Sequence, residues 1–473
     1  MPETTLTDLS EFSAQVSFDQ LPESVIHETG RTLLDSLGCA LAALSVDKGK
    51  MAVSLSRRLG GAQESTIPGT GVRVSTTNAA MAVGELINAL DYDALYQPGG
   101  HISPNVIPAP LAVAESQGAS GAELVTATAL AHEVAIRVTK GMSPLLQMKR
   151  DENGEPYYRW TPAYGGSRYN LGAAAGAAHL LGLGAEHMAH AISLAGHHAQ
   201  VPTHAKFSHS VPTAYTKYGT AGWQSTGAIV SAFLAAEGYI GDETLFEGDH
   251  GLWRFTGSET WNPERVTEGM GDRWLMLEQQ YKPYPCCRLV HTSLDLFYDI
   301  INEHDLQPED IDAVRTYGHP YGEQPHLQNR IIKTPIDAQF SVAYIFSVAA
   351  HRIHVGVEWQ DLATMRDPSI LSFMDKIEYQ VHPRYLEGPL DDPRMSFGSI
   401  EVDAKGTTYQ AEHNWARGTN EPGQEFDDEA LVEKFLHNAA RVLPEAKAER
   451  AVELLLSKDQ QYNVRELAEQ FTV

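Results

Sequence analysis

The 473-residue sequence has few basic residues and no long hydrophobic run. Its 35 Lys and Arg residues stand against 61 Asp and Glu residues, which gives a formal net charge of −26. A surface this acidic repels nucleic-acid phosphates and anionic lipid headgroups. No apolar stretch reaches the roughly 18–20 residues that a membrane-spanning helix needs. We therefore expect neither a nucleic-acid partner nor a membrane partner.

Cysteine is also scarce, since the chain contains only Cys39 and the adjacent Cys286 and Cys287. Three cysteines cannot build a disulfide framework, and no CxxC pair of the zinc-binding type occurs. The N-terminal region lacks a basic segment followed by an apolar one, so no secretion signal is indicated. These features predict a cytoplasmic protein. Because no basic cluster surrounds them, Cys286 and Cys287 are interpreted as packed thiols rather than as nucleophiles.

The common cofactor motifs are missing as well. The sequence has no GxxxxGK[ST] phosphate loop, no GxGxxG after a strand, no GxSxG elbow and no HExxH. Its 20 histidines include close pairs, but none stands at a recognisable ligand spacing with carboxylates. We therefore expect no metal ion and no cofactor in the site.

What the first 275 residues do contain is helical patterning. Leu33, Leu37, Leu41 and Leu44 recur at helical spacing, and later segments are rich in alanine, which favours closely packed helices. The predicted helices span 28–46, 77–90, 121–140, 171–182, 185–199 and 222–238. The polar and aromatic segment 147–170 is predicted to be an irregular insert with a functional role.

The pattern changes near Pro283. Alternating residues predict strands over 311–317, 376–382 and 399–410, the last with a hairpin turn at Lys405-Gly406. Helices are predicted over 290–303, 338–352, 428–441, 446–456 and 463–470. The sequence therefore predicts a smaller α/β unit over about 280–415, followed by C-terminal helices.

Segment 88–114 is the most informative one for chemistry. Asp91 and Asp93 follow an apolar helix, and a loop rich in Pro and Gly then leads to His101. Carboxylates beside a loop histidine can fix its tautomer and orientation for proton transfer. The alternative, in which the aspartates cap a helix end and His101 is an ordinary loop residue, remains open at this point.

Two further segments carry candidate site residues. Lys206, His209 and Lys217 precede an apolar helix. An ammonium group and a helix N-terminus can together bind a substrate carboxylate. The alternative is that both lysines are solvated surface residues. Arg288 and His291 lie one helical turn apart and can face the same cleft.

Together these segments resemble the MmgE/PrpD family, which includes 2-methylcitrate dehydratases, cis-aconitate decarboxylases and iminodisuccinate epimerase. The family run LDxDD…HP…H…PA resembles Leu90 to Asp93 with Pro98, His101 and Pro108-Ala109. The family's KxxHAG run resembles Lys217 to Gly222, and its YPCCxxxH run resembles Tyr284 to His291. The phrases LLDSLGCALA, from Leu33, and AQFSVAY, from Ala338, are similar too.

The resemblance implies a mainly α fold with a smaller α/β (α+β) domain. Residues 1–275 and 416–473 would form a large all-helical domain, and residues 276–415 a small, lid-like inserted domain. It also implies a cofactor-free active site between the two domains and a homodimer.

Carried over position by position, the resemblance assigns active-site positions to Asp91, His101, Lys217 and His291. Tyr164 is a further candidate for proton transfer. The candidate substrate-binding residues are Asp93, Gln97, Arg168, Lys206, His209 and Arg288.

The sequence departs from the family pattern at several positions. Ala94 and Leu95 stand where relatives carry a second Asp and a Thr or similar residue, and Thr220 replaces the histidine of KxxH. No histidine occurs between Tyr157 and Gly172, where Tyr164 and Arg168 are the polar candidates.

The expected activity is that of a lyase of the dehydratase (hydro-lyase) type, acting on a small citrate-like polycarboxylate by proton abstraction next to a carboxylate. His101 would act as acid or base, oriented by Asp91 and also by Asp93, while Lys217 and Arg288 hold carboxylates. His291 or Tyr164 would supply the second proton-transfer group. Three alternatives remain: epimerisation of an iminodisuccinate-type amino-dicarboxylate, decarboxylation of cis-aconitate, and a binding protein without activity.

Overall fold

The computed structural model describes residues 3–97, 99–144, 146–160, 166–200, 204–217, 219–388, 392 and 395–473. Within these ranges the chain is mainly helical, with small sheets, which confirms the predicted fold class. None of the helices in the described ranges combines the length and apolar character needed to cross a bilayer.

The helices of the first part of the chain include one at each of the six predicted segments, and further helices that were not predicted. In the described ranges they are α1 (Thr5–Gln15), α2 (Glu23–Ala42), α3 (Asp47–Leu59), α4 (Thr76–Ile87), α5 (Ser103–Val106), α6 (Pro108–Gln117), α7 (Gly121–Gly141), α8 (Gly166–Leu180), α9 (Ala185–His197), α10 (Ala221–Ala236), α11 (Leu252–Phe255) and α12 (Pro263–Thr267). Helix α7 begins with a capping box, in which Ser120 and Glu123 each bond the other's backbone N–H.

The later helices include four of six residues or fewer and a C-terminal group. They are α13 (His291–Glu303), α14 (Pro335–Phe340), α15 (Val342–Ala350), α16 (Leu362–Met365), α17 (Pro368–Phe373), α18 (Arg384–Glu387), α19 (Asp428–Ala439), α20 (Glu445–Leu455) and α21 (Val464–Gln470). The prediction of one helix over 338–352 was wrong. The helix is broken at Ser341, whose hydroxyl caps α15 by accepting the N–H of Tyr344.

Four small sheets occur in the described ranges. Their strands are β1 (Ser65–Ile67), β2 (Val72–Val74), β3 (Leu95–Tyr96), β4 (Leu146–Arg150), β5 (Pro156–Trp160), β6 (Gln279–Gln280), β7 (Ile311–Gly318), β8 (Ile377–Val381), β9 (Gly398–Ala404) and β10 (Thr407–His413). The largest has the order β10-β9-β7-β8, with β7 and β8 parallel. Its predicted hairpin turn is confirmed, since Lys405 and Gly406 both have positive φ, as a type I′ turn requires.

The segment 147–170 is not an irregular insert throughout, so that prediction was wrong. Strands β4 and β5 form an antiparallel hairpin, and the Asp151 carboxylate organises its turn by accepting the N–H groups of Asn153 and Glu155. In the sequence of β4, the apolar Leu146 and Met148 alternate with Gln147 and Lys149, so a short strand-period signal was present.

The buried apolar residues form two cores. One contains residues from positions 6–281 together with Val357 and residues from 426–471. The other contains Phe207 and residues from 284–404, including the inner face of the four-stranded sheet. The division into domains at residues 276 and 416 stays a prediction.

Two contacts bring distant parts of the chain to one place. Strand β3, just after the Asp91 loop, pairs with β6, just before Lys282. Helices α4 and α10 approach so closely that a Cβ added to Gly222 would lie 2.1 Å from the Met81 carbonyl oxygen. A Cβ on Gly84 would lie 2.8 Å from the Gly222 Cα. Only glycine permits this main-chain contact.

Candidate active site

Asp91 is the centre of a fully buried charge cluster. It lies beyond the end of α4 with a φ of 56°, a left-handed conformation that aspartate tolerates better than most residues. Its Oδ1 is 3.2 Å from Lys217 Nζ, and its Oδ2 is 2.6 Å from Lys282 Nζ. All three side chains have 0% exposure. One carboxylate is therefore shared by two ammonium groups.

His101 lies next to this carboxylate. Its Nδ1 is 2.8 Å from Asp93 Oδ2, and its Nε2 is 3.5 Å from Asp91 Oδ1. A carboxylate can only accept, so Nδ1 carries the hydrogen of the shorter contact. Asn88 Nδ2 in turn donates to Asp93 Oδ1 at 3.3 Å. Asp93 thus orients the imidazole so that Nε2 faces the charge cluster.

Burial and the neighbouring charges set the protonation states of Asp91 and Lys217. Burial acts to raise the pKa of Asp91, but the charges of Lys217, Lys282 and His101 outweigh burial and hold this pKa well below its ordinary range. Burial lowers the pKa of Lys217 to about 8, although the Asp91 carboxylate acts in the opposite direction. Since both Asp91 oxygens already bind ammonium groups, the cluster suits an anionic substrate better than a metal ion.

Two buried glutamines connect the cluster to neighbouring loops. Gln339 Oε1 accepts a hydrogen bond from Lys217 Nζ at 2.5 Å, and its amide donates to the Ala89 carbonyl and to Gln360 Oε1. The Gln360 amide donates to the carbonyls of Leu90 and Pro285. The Asp91 loop, the Lys217 side chain and the Cys286 segment are thereby held together.

Arg288 and His291 contact one another in the structure. Arg288 Nη1 is 3.3 Å from His291 Nδ1 and also donates to the Arg417 carbonyl at 2.7 Å. Burial, together with the charges of Arg288 and Lys282, holds the pKa of His291 well below its ordinary value, so the imidazole is neutral. Burial also lowers the pKa of Arg288 to about 10.

The vicinal cysteines are buried free thiols. Burial raises the pKa of Cys287 to about 12 and raises that of Cys286 well above its ordinary value. Neither thiol therefore forms the thiolate that a nucleophile requires at neutral pH. This agrees with the interpretation of both residues as packed side chains.

The remaining sequence-predicted residues have different surroundings. Arg168 is buried near the start of α8, and Gln97 is half-buried, with an Oε1 that accepts no hydrogen bond from the described residues. Lys206 and His209 are exposed, so the structure does not bury them with the Asp91 cluster. Tyr164 lies outside the described residues. The roles of these five residues stay predictions.

Sequence reasoning missed Lys282, Gln339 and a supporting ion pair. Lys434 Nζ donates to Asp35 Oδ1 at 2.6 Å and to the carbonyls of Tyr92 and Lys282. The pair thus fixes the backbone on both sides of the cluster. Lys282 lies two residues before the family-like run Tyr284 to His291, which was an available signal. Lys434 lies on an ordinary amphipathic helix, α19, where no sequence signal marks it as part of a site.

Comparison with known proteins supports one family along most of the chain. The MmgE/PrpD N-terminal domain matches residues 7–264, and the MmgE/PrpD C-terminal domain matches residues 284–460. The chain is similar to the human cis-aconitate decarboxylase, with 24% identity over 89% of this chain and 85% of the relative. It is similar to the cis-aconitate decarboxylase of Aspergillus terreus, with 23% identity over 98% of this chain and 95% of the relative.

Proposed function

The chain belongs to the MmgE/PrpD family, and on this premise we propose that it is a lyase acting on a small polycarboxylic acid of the citrate or aconitate type. The observation that carries the proposal is the buried cluster in which His101 lies beside Asp91 and Asp93, with two ammonium groups on Asp91. The cis-aconitate decarboxylases among its relatives support the same class of substrate.

The chemistry of such a substrate explains why these groups are needed together. A carbon next to a carboxylate is a weak acid, so removing its proton requires a positioned base and cations that stabilise the enolate-like charge that develops. His101, oriented by Asp93, transfers the proton through Nε2. Lys217 and Lys282 bind substrate carboxylates and offset this charge. A buried site strengthens both interactions because water does not screen them.

Both dehydration and decarboxylation agree with this proton transfer. Dehydration removes the proton and then expels hydroxide as water, whereas decarboxylation loses carbon dioxide and delivers a proton to the carbon left behind. The chain has Ala94 and Thr220 where the family pattern has a second Asp and the KxxH histidine, so two polar groups of that pattern are missing. The sequence-based preference for dehydration therefore stays a prediction, and the names of the relatives favour decarboxylation of cis-aconitate.

A direct assay tests the proposal. The purified protein is incubated separately with citrate, 2-methylcitrate and cis-aconitate, and both the absorbance of unsaturated acids and the release of carbon dioxide are followed. We expect one of these acids to be converted with loss of water or carbon dioxide. Conversion of none of them would contradict the proposal. Solvent deuterium entering an amino-dicarboxylate without elimination would establish the epimerase alternative instead.

The pH dependence of kcat/KM tests the role of Lys217. With a pKa of about 8 the side chain is an ammonium group below that pH and neutral above it, so we expect kcat/KM to fall as pH rises through about 8. The Lys217→Arg variant keeps its charge at higher pH, so its profile should lose this alkaline limb even if its overall rate is lower. An identical limb in both proteins would assign the titration to another group.

A further inference from the structure

A second group of ligand-type side chains occurs outside the Asp91 cluster. His354, Glu358 and His437 each offer one ligand atom, and these atoms all lie within 4.8 Å of one another. Glu358 Oε2 is 3.2 Å from His437 Nε2, and the rings of His354 and His437 stack with centroids 4.1 Å apart. Two imidazoles and a carboxylate therefore lie close together in one small region.

The three residues come from two separate stretches of the chain. His354 and Glu358 follow α15, with Glu358 in the 3₁₀ turn Val357–Gln360, whereas His437 lies in the last turn of α19. Glu358 and His437 are 79 positions apart in sequence. No spacing motif can reveal such a group, which explains why the histidine pattern alone predicted no metal site.

The donor set is one that divalent transition metals prefer. Zn²⁺ binds imidazole nitrogen and carboxylate oxygen at about 2.0–2.2 Å, and sites with three protein ligands keep a position for water. His354 is exposed, and Glu358 and His437 are half-buried, so water can reach the ion. Arg441 Nη2 binds Glu358 Oε1 at 2.7 Å, which leaves Oε2 as the oxygen directed at His437.

Gly356 provides a second, independent observation. A Cβ added at this position would lie 2.6 Å from Glu358 Oε2 and 3.0 Å from His437 Nε2. The backbone of Gly356 is extended, with a φ of 163°, so an alanine would adopt the same conformation. The absence of a side chain at Gly356 thus keeps open the space beside the two ligand atoms.

We propose that His354, Glu358 and His437 bind one divalent transition-metal ion of the Zn²⁺ class. The bound ion ties the segment after α15 to the end of α19, so it stabilises the folded protein because it binds the folded form alone. The proposal is independent of the lyase reaction, since none of the three residues contacts the Asp91 cluster.

Equilibrium dialysis of the protein without an affinity tag tests the site, with Zn²⁺ as the probe and Mg²⁺ as the comparison ion. We expect the wild-type protein to hold one equivalent of Zn²⁺ more than the His437→Ala and Gly356→Ala variants. The His304→Ala variant should bind as the wild type does, because that exposed histidine stacks on Tyr409 and belongs to no such group. Mg²⁺ should not bind there, since it prefers oxygen ligands.

Thermal melting separates loss of the site from loss of the fold. Without metal, Gly356→Ala should melt close to the wild type, because the atoms nearest its new methyl group belong to the flexible end of Glu358 and to the His437 ring. Zn²⁺ should raise the Tm of the wild type and of His304→Ala but not that of Gly356→Ala or His437→Ala. Equal Zn²⁺ binding by the wild type and Gly356→Ala, or an equal Tm rise with Mg²⁺, would overturn the proposal.

Discussion

The His101→Gln variant is expected to lose about 10²–10⁴-fold in kcat, which is the usual contribution of a general acid or base. Glutamine is close to histidine in size and can still donate a hydrogen bond to Asp93, so the fold around the cluster should persist. It cannot exchange a proton at neutral pH. The expected result is therefore a large fall in kcat with a small change in KM, measured on the acid that the wild type converts.

The matched control for this variant is His304→Gln, which changes an exposed histidine that stacks on Tyr409. Circular dichroism melting of both variants checks the fold. A loss of less than about tenfold in kcat for His101→Gln would mean that another group transfers the proton. The neutral His291 imidazole would then be the next candidate, since Arg288 and Lys282 lie around it.

The Asp91→Ala variant is expected to lower the free energy of unfolding by about 3–5 kcal/mol, the usual cost of breaking a buried ion pair by removing one partner. Lys217 and Lys282 would then be left buried without their shared counter-ion. Urea unfolding at pH 7 measures the loss. The Asp91→Asn variant tolerates the same left-handed backbone, so it separates the effect of charge from that of backbone conformation.

The sign of the pH dependence follows from the lowered pKa of Asp91. Its folded value lies below its unfolded value, so its stabilising contribution is present at neutral pH and is lost as pH falls through the acid range. The stability difference between the wild type and Asp91→Asn should therefore shrink in acid. Adding Lys217→Met to Asp91→Ala should recover part of the loss, since it removes an unpaired charge. If the losses in unfolding free energy from Asp91→Ala and Lys217→Met simply added, this would contradict an energetic coupling between Asp91 and Lys217.

Most helices and the four-stranded sheet could be predicted because their buried faces recur at the helical or strand period. The β4–β5 hairpin was missed, although Leu146 and Met148 alternate with polar residues in β4, because each strand has only five residues and the turn depends on Asp151. The break at Ser341 lies inside an apolar run, where a single capping hydroxyl decides the outcome. Local patterns thus predict elements well where burial is one-sided and poorly where one side chain sets the geometry.

The site was predictable to the extent that its residues are close in sequence. Asp91, Asp93 and His101 share one short segment, whereas Lys282 reaches them through two-residue strands that no periodicity can reveal. Gln339 was visible within a family phrase but carries no charge that would mark it. The homodimer, the cytoplasmic location and the division into domains stay predictions.

The main-chain contact at Gly84 and Gly222 has a consequence for how such a site can diverge. Helix α4 leads into Asp91, and the loop with Lys217 leads into α10. The close contact between the backbones of α4 and α10 therefore sets the distance between the Asp91 carboxylate and the Lys217 ammonium group. Loop side chains nearby can therefore be exchanged, and the range of accepted acids altered, while the electrostatic geometry is kept. New substrate specificity can therefore arise by changing loop side chains around the cluster, without changing the contact between the two helices.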